Sequence, residues 1–202
     1  KIIETGIQQP LPQTTYSSSM TAELISERFM VASSTLRNYP SSFGNLNYHI
    51  DRVETDKLLL WIKTPLKQKE QSTKPIIEYV APIAVLTGDA GYGKTVVMRD
   101  LLSRLNQERI PTLAIKADKS TFSRQQELVS ELQLGDDLIK QAYTLSDKFE
   151  RIVIIVDQLD ALSQHLSANR EPLKMYNRLI DQLANIPNVR LVIACRRFDL
   201  QF

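Results

Sequence analysis

Residues 88 to 95 read Gly-Asp-Ala-Gly-Tyr-Gly-Lys-Thr, and no other stretch limits the possible folds as tightly, because it fits the spacing G-x-x-x-x-G-K-[ST]. Ahead of it Ile83 to Thr87 form a short apolar run. Behind it Thr95 to Asn106 carry Val97, Leu101 and Leu105 at helical spacing, so the order is strand, glycine turn, helix. A triphosphate needs backbone N–H groups converging at close range, and Gly88, Gly91 and Gly93 supply the dihedral freedom for it. The helix starting near Lys94 adds the positive end of its dipole, and the Lys94 ammonium reaches the β- and γ-phosphates as a point charge. The Thr95 hydroxyl is the expected magnesium ligand. Asp89, Ala90 and Tyr92 fill the spacer positions of the same loop.

The rest of the pattern alternates. Thr112 to Ile115 is a second candidate strand, followed by two helical stretches, with Asp136 after Gly135 as the expected cap of the second. Ile152 to Val156 is five consecutive β-branched residues, the composition of a strand buried on both faces of a parallel sheet. A helix follows with Pro172 in its first turn and Leu173, Tyr176, Leu179, Ile180 and Leu183 as its stripe, and Leu191 to Ala194 make a fourth strand. Strands alternating with helices predict a three-layer α/β/α domain on a mainly parallel sheet. Upstream, Ala22 to Ser33 has the spacing of a short helix, and Thr55 is the expected cap of a helix carrying Leu58 to Ile62. Residues 1 to 20, rich in Gln, Pro, Ser and Thr, have linker composition. The division expected is a linker and N-terminal segment over 1–48 and the core domain over 49–202.

Composition excludes several classes. An apolar share of 43% and a charged share of 24% are those of a globular chain, against disorder, collagen or coiled coil. The net charge of +2 is spread without a long single-sign block, so nucleic-acid binding is unsupported. One cysteine, Cys195, forms no internal disulfide and no Cys-rich zinc site; it fits a reducing, cytoplasmic setting. The apolar runs at 58–62 and 152–156 fall far short of the ~20 residues that span a bilayer, so no transmembrane helix is expected. The chain begins at Lys1 and stops soon after the fourth strand, which reads as a piece of something longer, with its core C-terminally incomplete.

Asp157 stands at the tip of the buried strand, the edge where open α/β sheets bind ligands, and reads as the Walker B carboxylate that holds magnesium through water. Gln158 follows it, and a neutral amide accepts no proton. Asp160, three residues on, is the better candidate to activate water, with capping of the helix from Ala161 as its competing role. Arg196 and Arg197 leave the fourth strand at the same sheet edge. A guanidinium there distinguishes triphosphate from diphosphate by charge-assisted hydrogen bonds.

Taken together, GDAGYGKT, IVIIVDQLD and LVIACRRFDL resemble the P-loop ATPase core of bacterial STAND proteins, the NACHT-like signal-transduction ATPases, over about residues 48 to 202. The resemblance implies the additional-strand class of P-loop NTPases, with ATP and Mg2+ as ligands. In many ATPases of that class a Glu stands where this chain has Gln158, which implies slow hydrolysis here. The resemblance also favours Arg196 over Arg197 as the sensor, and implies that Ile50 and Arg52 line the adenine pocket. It implies a switch as well: ATP binding drives homo-oligomerisation and activates an effector, with sensor and effector domains outside this chain, in many cases against phage. Three rivals stand beside it: an AAA+ type motor or loader acting on DNA or protein, a small-molecule kinase, and a scaffold that binds nucleotide without hydrolysing it.

Overall fold

A computed structural model describes residues 17–40, 51–64, 82–164 and 170–196; Ile50 and Arg197 lie outside them. Four strands, β1 (Ile83–Thr87), β2 (Thr112–Lys116), β3 (Ile152–Asp157) and β4 (Val189–Cys195), form one sheet in the order β1-β4-β3-β2, every neighbouring pair parallel. β4 is thereby inserted between the strand that feeds the glycine loop and the strand that ends in Asp157. This is the P-loop NTPase-like α/β fold expected from the sequence, additional strand included.

Alternation along the strands builds two cores. Ile152, Ile154 and Val156 of β3 face one cluster, shared with Leu113, Ile115, Leu191 and Ile193. Val153 and Ile155 face the other, with Ala114, Val192 and Ala194. A side chain of this size contributes about 1.5–3 kcal/mol when fully buried, and β3 is buried at all six positions. Against the first cluster pack α1 (Ala22–Ala32), α6 (Leu138–Ser146) and α8 (Glu171–Ala184); against the second pack α2 (Ser34–Arg37), α3 (Val53–Lys63) and α4 (Lys94–Gln107). The remaining helices, α5 (Gln125–Glu131) and α7 (Ala161–Gln164), are short.

The helices 22–37 cross from one face to the other around β2. Ile25 and Phe29 of α1 and Leu36 of α2 are all fully buried, in different clusters. Ser33, at the corner between them, accepts a hydrogen bond from Ala114 N at 2.8 Å and donates to Phe29 O at 2.7 Å. Its hydroxyl thus satisfies an outward-facing amide of the edge strand.

Two expected caps differ. Thr55 does not begin α3: the helix starts two residues earlier, after Arg52, and Thr55 is buried inside its first turn. The cap of α6 is Asp137, whose Oδ1 accepts from Ile139 N and Lys140 N, while Asp136 accepts from Ser18 Oγ at 2.7 Å. Adjacent aspartates offer the same cap chemistry, and the approach of the Ser18 segment engages Asp136 elsewhere. At its other end α3 is held by two arginines: Arg151, just ahead of β3, donates to Lys63 O, Arg190 of β4 donates to Thr64 O, and the Trp61 ring lies 4.9 Å from the Arg190 guanidinium.

Candidate functional site

The parallel register brings the C-terminal strand ends to one edge, pairing Thr87 with Cys195 and Lys116 with Asp157. From that edge the chain leaves β1 at Gly88 and turns through Gly91 and Gly93, both at positive φ (82° and 81°), into α4, with Gly93 as its N-cap. Such dihedrals are the reason for glycine here. The Lys94 ammonium folds back over the loop and donates to Gly88 O at 2.7 Å and Asp89 O at 2.9 Å. Asp89 and Ala90 are exposed, and Tyr92 is 70% exposed.

A cleft of ≈ 370 Å³ opens at this loop, lined by Gly91, Lys94, Thr95, Gln158, Asp160 and Arg196, with Tyr39 and Pro40 forming a further wall. Its size lies within the range of small-molecule sites. A larger groove of ≈ 1170 Å³ lies between α1 and the 119–137 segment, and none of the loop residues borders it; the glycine-loop residues line the smaller cleft, which is the candidate site. Arg52 also reaches the loop: a Cβ added to Gly93 would meet Arg52 Nη2 at 3.2 Å.

Asp157 has no exposed surface. Burial pushes its carboxyl above the usual carboxylate range, and the charge of Lys116 offsets part of that rise. Oδ2 lies 3.3 Å from Lys116 Nζ, while Oδ1 is buried without a partner at normal hydrogen-bond geometry, and the nearby Thr95 hydroxyl favours the charged form of the carboxyl. An orphaned, buried carboxylate oxygen is a costly feature that a cation or its bound water would satisfy. Together with the Thr95 hydroxyl 3.4 Å from the Gln158 amide, this donor set fits a magnesium held by few protein ligands.

Gln158 adopts the left-handed region at φ 59°, a conformation that costs a non-glycine residue about 1–3 kcal/mol. Its partners fix its amide: the carbonyl accepts from Lys116 Nζ at 3.0 Å, and the nitrogen donates to Asp118 Oδ2 at 3.2 Å. Asp160, 6% exposed, accepts from Arg196 Nε at 2.9 Å. The two residues named separately in the sequence as water activator and phosphate sensor are thus an ion pair on the cleft wall. Cys195 is buried at the end of β4.

Tyr39, Lys116 and Asp118 were not expected at the site. For Lys116 a signal existed, since it ends β2 at the same sheet edge that singled out Asp157 and Arg196. Tyr39 carries no such signal, because only the crossing of α1 and α2 over β2 delivers it. Among the described residues no three or more His, Cys, Asp or Glu side chains cluster as a metal site, and no helix is long and apolar enough to cross a membrane.

Comparison with curated proteins gives no match. Among solved structures the chain is similar to a Walker-type ATPase of Pyrococcus abyssi, with 15% identity and a TM-score of 0.48 over 79% of this chain and 48% of that one, so it spans about half that protein's length. A family model described as AAA domain matches residues 77–201, from ahead of β1 to beyond β4, which is the expected setting for a P-loop ATPase module. That match covers more than half of the sequence, and the chain belongs to the AAA domain family.

Proposed function

We propose that the chain is the nucleotide-binding module of a STAND-type regulatory ATPase, in which Mg-ATP binding at Gly88 to Thr95 drives a conformational switch and homo-oligomerisation, in bacterial antiphage immunity. The observation that carries the switch reading is the amide at Gln158. It occupies the place after Asp157 where a fast hydrolase carries a proton-accepting carboxylate, and its carbonyl and nitrogen are both engaged, by Lys116 and Asp118. Slow turnover suits a protein whose output is conformational. The immune role and the oligomer rest on the likeness of GDAGYGKT, DQLD and the strand-end arginine to that group, with effector and sensor domains outside this chain.

In this reading the loop amides and the α4 dipole cradle the phosphates, and Lys94 exchanges its carbonyl partners at Gly88 and Asp89 for phosphate oxygens. Thr95 and Asp157 would hold Mg2+, which would supply positive charge to offset that of the phosphates. Arg196 reads the terminal phosphate, and Asp160, paired with its guanidinium, either orients water or steadies the arginine. Arg52, with Ile50, borders the adenine.

Equilibrium binding of fluorescent ATP and ADP with magnesium, on wild type, Lys94→Ala and Asp157→Ala, tests this, with phosphate release and light scattering on the same samples. The expected result is ATP binding lost in Lys94→Ala and slow release in the wild type. Fast release that requires Asp160 supports an AAA+ type motor or loader instead, and a folded wild type that binds neither nucleotide overturns both readings.

A further inference from the structure

We propose that Lys116 is a positioning residue for the metal side of the nucleotide site, a role that rests on the reading that Asp157 and Thr95 hold magnesium. Its ammonium is almost fully buried, with 6% of the side chain exposed. It stands 3.3 Å from Asp157 Oδ2, 3.6 Å from Asp118 Oδ1 and 3.0 Å from the Gln158 carbonyl, and the Tyr39 ring centroid lies 5.3 Å away. Ladder register sets Lys116 beside Asp157, so strand pairing places the base of the stem and leaves little slack.

The arrangement does two things. By taking Oδ2, Lys116 fixes the rotation of the carboxylate and leaves its other oxygen, Oδ1, buried and outside the ion pair, the atom a metal-bound water would need. By taking the Gln158 carbonyl while Asp118 takes the nitrogen, it holds the left-handed turn that follows β3, with the amide against Thr95. Lys116 thus links Asp157 to Thr95, one from each half of the metal site, without needing to touch nucleotide.

A buried Lys–Asp pair that only supported the fold would have the same contacts, so the test reads magnesium rather than stability. Fluorescent ATP binding is titrated with Mg2+ for wild type, Lys116→Met and Lys116→Arg, with the same nucleotide in EDTA as reference and thermal unfolding as the fold control. Lys116→Met is expected to bind ATP in EDTA as the wild type does, while the affinity gained from magnesium falls about tenfold or more, the usual effect of removing a partner of a metal ligand; Lys116→Arg recovers part of it. An unchanged magnesium gain, or equal losses in EDTA and in magnesium, overturns the proposal. So does a larger gain, which would make the ammonium a competitor of the cation. Should Lys116→Met fail to fold, Lys116→Gln decides: it removes the charge that holds Asp157 Oδ2 while keeping a polar side chain, and an undiminished magnesium gain there overturns the proposal too. The underlying reading fails separately, if Lys94→Ala binds ATP as well as the wild type.

Discussion

The two edges of the sheet are built differently. At β2 every residue is buried, the Ser33 hydroxyl takes up the outward amide of Ala114, and α1 and α2 close over both faces. At β1, the strand that carries the phosphate loop, no residue is fully buried and Val85 is 45% exposed. The contrast is one of anchoring: the edge far from the loop is held by the helices that precede the sheet, and the edge beside it has no fully buried residue. Charge follows the same division, for the buried ammonium of Lys116 lies at the closed edge, whereas Lys94 sits in the open cleft.

This contrast can be broken from either side. The largest effect is expected at the closed edge from Phe29→Ala, which empties a fully buried site and should cost about 3–5 kcal/mol in denaturant unfolding. A loss under 1 kcal/mol would mean that α1 is an ornament to the sheet rather than part of its core. Ser33→Ala should cost about 1–3 kcal/mol, because it leaves the Ala114 amide buried without an acceptor, and hydrogen exchange at that amide should accelerate.

A smaller, pH-dependent effect belongs to the Ser18–Asp136 bond beside α1. The Ser18 hydroxyl and the Asp137 amide hold the Asp136 carboxyl below its ordinary value of 3.8. A depressed carboxylate contributes stability that is present above 3.8 and is lost as pH falls through its lowered value. Acid unfolding of Asp136→Asn should therefore converge with that of the wild type below this window and diverge above it. Smallest of all, Val85→Thr at the open edge should change stability by no more than about 0.5 kcal/mol. A loss as large as that of Ser33→Ala would show that the edge is covered in solution and erase the comparison.

Much of the site was legible because its chemistry is local. The loop from Gly88 to Thr95 announces itself by spacing, and Asp157 by standing at the end of an unbroken β-branched run. Lys116 was not singled out although it ends β2 at the same sheet edge; what sets it apart from any other charged strand end is the register that places it opposite Asp157. The Asp160–Arg196 pair shows the same limit. Each residue was named from its place after a strand, but their contact joins segments more than thirty residues apart. The cap of α6 passed from Asp136 to Asp137 for a similar reason, because Ser18, more than a hundred positions away, engages the first of them.

The sequence by itself determined the strand, glycine loop and helix of the candidate site, the alternation that makes a parallel α/β sheet, and the two-faced burial of β3, all of which follow from dihedral preference and hydrophobic period over short windows. Only the tertiary structure decided that α1 and α2 would close the β2 edge, that Tyr39 would wall the cleft, and that Lys116, Asp118 and Gln158 would lock around Asp157. Those outcomes depend on which strand becomes an edge and on cross-strand register, and both are set by the packing of the whole sheet rather than by any stretch of chain read alone.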